Sequence, residues 1–238
     1  MTRTKKLLLT LSATVAVTAL AGVAVLAVMA MRTPTTVSLT DAVASTQASA
    51  SLPTSASPAA SSGLTGTWKV VTGSSFVGYR VKEELARVGA NTAVGRTTAV
   101  TGTLAYDGSK ITTVEVQADL SQLTSDSSMR DNVLRRQAIE TSSYPTATFA
   151  LTQPIPIASP PAPGVAVDVT AVGNLTLHGQ TRPVSIPLQG TLIDSNVVIV
   201  GSTTVVFADY GIRQPTAQSV LTIEDRGTLE LQLVFARA

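Results

Sequence analysis

Residues 229–235 read LELQLVF, with Leu229, Leu231, Leu233 and Phe235 at every second position and Glu230 and Gln232 between them. Only an extended strand sends alternate side chains to opposite faces, so this segment must lie with one side against a core. The same period recurs upstream. Val77, Tyr79 and Val81 alternate with Gly78, Arg80 and Lys82, and Val100, Gly102, Leu104 and Tyr106 alternate with Thr101, Thr103 and Ala105. The second run stops at Asp107-Gly108 and resumes over residues 111–120, which predicts a hairpin with a short Asp-Gly turn. Further strands are expected over residues 147–153, 165–177, 182–193, 197–207 and 228–235, with the Pro-rich stretch 154–163 as a surface connection. About eight short strands at this spacing predict an all-β fold, an antiparallel sandwich or barrel.

One helix interrupts the strands. Ser128-Met129-Arg130-Asp131 fits a capping box, with Asp131 favouring the positive end of the helix dipole. Met129, Val133, Leu134 and Ala138 then supply an apolar side, while Arg130, Arg135, Arg136 and Glu140 are expected in water.

The first 65 residues have a different character. Arg3, Lys5 and Lys6 precede residues 7–31, which contain no charged side chain, and Arg32 closes the run. At about 1.5 Å per helical residue, the run exceeds what a hydrocarbon core of about 30 Å requires. Residues 1–32 are therefore expected to be a signal anchor, a transmembrane helix with the C-terminal part extracytoplasmic. A cleaved signal, ending near Ala30 or Ala21, would leave the same part secreted. Residues 33–65 consist mainly of Ser, Thr, Ala and Pro with Asp41 as the only charge, and are expected to be a disordered linker. Residues 66–238 form the domain.

Four of the 17 Lys and Arg flank the apolar run and one of the 15 acids precedes the domain. The domain thus holds 13 basic and 14 acidic side chains, a net charge of −1. The basic isoelectric point belongs to the N-terminal flanks, and a nucleic-acid partner is not expected. The chain has no cysteine and one histidine, His178, which removes disulfides, a Cys-His dyad and a histidine-based metal cluster. Only a Ser-His-acid arrangement on His178 remains, and no Gly-x-Ser-x-Gly elbow or phosphate-cradling glycine loop accompanies it. Neither catalysis nor a cofactor is expected. The interior is the remaining candidate site, and two readings of it stay open on physical grounds: a barrel lined for one small ligand, or one packed solid.

Six segments carry a family resemblance: SSFVGYRVK at 74–82, VTGTLAYD at 100–107, MRDNVL at 129–134, YPTATF at 144–149, GNLTLHGQTRPV at 173–184 and DYGI at 209–212. In this order and spacing the domain, from residue 66 to about 237, resembles the YceI-like family of lipocalin-like bacterial proteins. The resemblance implies an extended eight-stranded antiparallel barrel that binds an isoprenoid or other long amphipathic lipid, without catalysis. The chain departs from the family where Ser74 and Glu83 stand near the first long strand in place of common histidines, and where Ala138-Ile139 replace an aromatic pair.

On this reading Val77, Tyr79, Val81, Leu104, Val116, Phe149, Leu175, Leu177, Phe207 and Leu231 line a lipid cavity. A register slip by one residue would turn each of them outward. Arg130, His178 and Arg182 are candidates for its rim and the lipid head group. A membrane anchor suits this role by raising the effective concentration of membrane lipid. The alternative is a cell-surface structural or interaction domain with a solid core.

Overall fold

The computed structural model describes residues 34–50, 63–157 and 161–238. The expected membrane segment, residues 1–32, lies outside the described residues. Thirteen strands form one sheet. In chain order they are β1 (Gly66–Val70), β2 (Phe76–Leu85), β3 (Gly89–Thr97), β4 (Val100–Tyr106), β5 (Lys110–Asp119), β6 (Thr124–Ser125) and β7 (Thr146–Leu151). They continue as β8 (Ile155–Pro156), β9 (Val167–Leu177), β10 (Gln180–Ile193), β11 (Asn196–Val206), β12 (Val220–Ile223) and β13 (Arg226–Arg237).

The order β1-β4-β5-β7-β9-β10-β11-β13, with β13 returning to β1, closes an eight-stranded antiparallel barrel. Of the sandwich and barrel expected from the strand pattern, the chain forms the barrel. The long last strand makes the closure possible because it serves two neighbours. Its second half pairs with β1 through Val70↔Phe235, and its first half with β2 through Leu231↔Val77. At the β1 end the ring is complete. At the β2 end the wall continues through β3 to β6, with β12 added to β2.

The Asp-Gly hairpin forms between β4 and β5. Asp107 Oδ1 accepts from the Ser109 and Lys110 amides at 2.8 and 2.9 Å, and Gly108 takes a φ of 101°. These bonds hold the Asp107 carboxyl below its usual range. The inward face of β13 is as expected: Leu231, Leu233 and Phe235 are buried beside Trp68, Val100 and Leu104. Its outward Glu230 is buried too, held by Arg80 at 2.7 Å and Arg96 at 2.8 Å.

The stretch expected to be a disordered linker contains a helix, α1 (Leu39–Ala50). Ser38 starts it: the Ser38 Oγ accepts the Asp41 amide and donates to the Asp41 carboxylate at 2.8 Å. Ala42 and Thr46, one turn apart, are buried, and Ala42 packs on the outer side chains Val198, Val200 and Val234 of β11 and β13. Small residues at this spacing let the helix approach the sheet closely, which a count of large apolar residues in the segment does not register.

The second helix, α2 (Ser128–Val133), starts one residue earlier than the capping pattern implied. Ser127 is the N-cap, accepting from the Arg130 amide at 3.3 Å. Asp131 turns away from the helix start and accepts from the Ser125 amide and hydroxyl at 3.0 and 2.6 Å. Consequently Met129, expected inside, is 70% exposed, and Arg130, expected in water, turns inward. A π turn over residues 134–138 follows.

Candidate functional site

The barrel interior holds two cavities. The first, about 180 Å³, lies toward the complete end of the ring among Trp68, Leu104, Val116, Phe149, Leu175 and Leu231. The second, about 350 Å³, lies between β2, α2, β12 and the segment after β11, among Tyr79, Val81, Leu177, Phe207 and Val220. Val77, Ala147 and Leu229 belong to the walls of both. All ten residues expected to face the interior border one or other cavity. The sequence reading missed Ala93 of β3, Val220 and Ile223 of β12, and Ile212, Pro215 and Ala217 before it. Their only signal is a scatter of apolar residues without a regular period.

Glycines make room for the aromatic linings. A Cβ on Gly95 would lie 2.4 Å from the Tyr79 ring, and one on Gly173 would lie 2.5 Å from that of Phe149. Each ring therefore lies flat over the neighbouring strand instead of filling the interior.

Polar groups gather at the second cavity. Glu83 follows Val77, Tyr79 and Val81 on the inward face of β2 and is buried. Arg130 Nη2 donates to its Oε1 at 2.9 Å, Asn91 Nδ2 donates to the same oxygen at 2.8 Å, and Arg130 Nη1 also pairs with Asp126. Burial alone would lower the pKa of the Arg130 guanidinium, but Glu83 and Asp126 outweigh it and raise the pKa. Burial pushes the Tyr79 phenol up to about 12. Among the described residues its hydroxyl has no hydrogen-bond partner.

Of the three rim candidates only Arg130 lines a cavity. His178 and Arg182 fasten turns at the same end. His178, with a φ of 50°, places Nδ1 3.0 Å from the Tyr210 carbonyl oxygen and Nε2 3.0 Å from Glu140 Oε2, with its ring 4.3 Å from that of Tyr144. Arg182 Nε donates to the Asp209 carbonyl at 3.0 Å. The position a serine nucleophile would take at the histidine of a Ser-His-acid triad is filled by a backbone carbonyl. Glu140, exposed as expected, supplies the carboxylate of this fastening.

The YceI-like domain model matches residues 68–235. No curated protein sequence matches the chain. Among solved structures, the chain is similar to a polyisoprenoid binding domain from Saccharophagus degradans implicated in plant cell wall breakdown. Identity is 16% and the TM-score 0.57, over 72% of this chain and 98% of that one. It is also similar to Burkholderia cenocepacia BcnA, with 18% identity and a TM-score of 0.54 over 69% of this chain and 98% of that one. A third is the Campylobacter jejuni YCEI protein, with 14% identity and a TM-score of 0.51 over 60% and 84%. At these identities the likeness concerns the fold. The family match spans most of the barrel, from Trp68 at the start of β1 to Phe235 near the end of β13, and on that evidence the chain belongs to the YceI-like domain family.

Proposed function

We propose that the domain binds an isoprenoid-type amphipathic lipid inside the barrel and carries or sequesters it outside the cytoplasmic membrane, without catalysis. The observation that carries this reading is the pair of adjoining cavities: one walled almost entirely by apolar side chains, the next reaching the Arg130–Glu83 ion pair. A long apolar tail suits the first and a polar head the second. Family membership and the fold shared with the polyisoprenoid binding domain support a lipid as the ligand class.

In this reading the apolar run at residues 7–31 anchors the chain. Val37, Leu39 and Ala42, from the stretch expected to be linker, pack on the barrel. The open interior favours the carrier over a solid-core interaction domain.

The direct test is native mass spectrometry and lipid extraction of the full chain gently isolated from its own membrane. A copurifying long-chain lipid at about one per chain is expected from a single-ligand barrel. A chain that emerges lipid-free and stays so when offered polyprenols overturns the proposal.

A further inference from the structure

Among the described residues four large hydrophobic side chains are exposed, and three of them stand on segments that contribute to or adjoin the lining of the second cavity. Val88 is 64% exposed in the β2–β3 turn, Leu221 61% in β12 and Met129 70% at the start of α2. The fold brings their segments together: Val220 pairs with Leu85, and the Ala86 amide donates to the Ser219 carbonyl at 3.0 Å. Leu85, Met129 and Val220 line the cavity, so its apolar wall runs out through them to the exposed rim. The two segments bearing Val88 and Leu221, residues 86–90 and 213–223, contain Arg87 and Arg213; of the carboxylates beside them, Glu224 pairs with Lys82 and Asp126 with Arg130, and Glu84 stands opposite Thr222. The hairpin turns at the opposite end contain Asp107 with Lys110, and Asp194.

We propose that this rim docks on the surface of a lipid bilayer containing anionic phospholipid. Val88, Leu221 and Met129 enter the interface, and Arg87 and Arg213 meet the phosphates. Exposed apolar residues that continue the lining of a cavity, with two arginines on the same segments, match that surface in both respects. The inference rests on the lipid-binding reading and adds the route by which lipid enters: through a mouth pressed against the acyl layer, so that little of the tail crosses water.

The chain has no cysteine, so Val88→Cys and Leu221→Cys each create a unique site for an environment-sensitive fluorophore, with Ser109→Cys in the opposite turn as the control. The full chain is reconstituted in vesicles of phosphatidylcholine and phosphatidylglycerol carrying a nitroxide-labelled lipid. Fluorophores at 88 and 221 are expected to be quenched severalfold more than the one at 109, and Arg87→Glu with Arg213→Glu to reduce the difference. Equal quenching at all three positions overturns the docked mouth. Lipid extracted from the same samples separates the two readings. A chain that holds lipid yet shows equal quenching overturns docking alone, and mouth quenching in a chain that never holds lipid supports docking and overturns the carrier reading.

Discussion

Tyr79 carries a buried hydroxyl without a partner among the described residues, an arrangement that costs about 1–3 kcal/mol relative to a satisfied group. Tyr79→Phe removes the unsatisfied oxygen and keeps the ring over Gly95, so it should raise stability by about 1 kcal/mol in urea denaturation at neutral pH. The same residue sets an alkaline limit. Its folded pKa is raised from 10.0 to about 12, so between these values the unfolded chain has lost the phenolic proton and the folded chain has kept it. Stability therefore falls as pH rises through that window, by on the order of 2 kcal/mol, and Tyr79→Phe should abolish this part of the fall. The neighbouring ion pair behaves differently. Arg130→Met leaves Glu83 buried with the Asn91 amide still donating to it and should cost about 3 kcal/mol, whereas Arg130→Met with Glu83→Leu should lie within about 1 kcal/mol of the parent. A double-mutant cycle read by denaturation checks both values.

At the scale of elements, helix α1 is held by small contacts that a single charge should break. Ala42 is fully buried against Val198, Val200 and Val234, so Ala42→Asp would bury an unpaired carboxylate at a cost of several kcal/mol. A twelve-residue helix is marginal alone in water, so α1 should undock and unfold. Hydrogen exchange followed by mass spectrometry should then show fast amides over residues 42–50 with barrel amides still protected. Elements like β4, β5, β9, β11 and β13 were legible because one face meets the interior, and burial on one face imposes a period of two on sequence. Strand β3, GANTAVGRT, was not: Ala93 and Gly95 stand where an alternating strand would show large residues, because Tyr79 lies over Gly95. Helix α2 was legible as a helix but not in its rotation. Met129 reads as core and Arg130 as surface until Glu83, 47 residues earlier, is found waiting inside. Such long-range pairing leaves no periodic trace.

For the whole molecule, the decisive property is that the ring closes without filling. The ten interior positions were legible because closure turns one face of every strand inward, and the family resemblance supplied the expectation of an occupant. The free volume itself was not legible, since it depends on how Tyr79 and Phe149 lie over glycines of adjacent strands and on where α2 and β12 cover the gap beyond β2 and β3. Space that exists to hold a ligand can be filled at little cost, whereas a close-packed core pays about 1–3 kcal/mol for added bulk. Leu104 lines the first cavity and Leu177 the second, so Leu104→Trp and Leu177→Trp probe them separately. Each variant should remain folded, with a melting temperature within a few degrees of the parent, as expected for a change below about 1 kcal/mol in a domain of this size. Each should also retain less lipid after extraction. Leu104→Trp, at the apolar end, should exclude long tails first and still admit shorter ones. Leu177→Trp, nearer the charged end, should lower retention of every chain length alike. Mass spectrometry of lipids recovered after incubation with a polyprenol mixture reads both patterns. Unfolding of both variants, with no change in lipid selection by partly destabilised protein, would mean that the interior acts as packing and that the cavities are not a binding site.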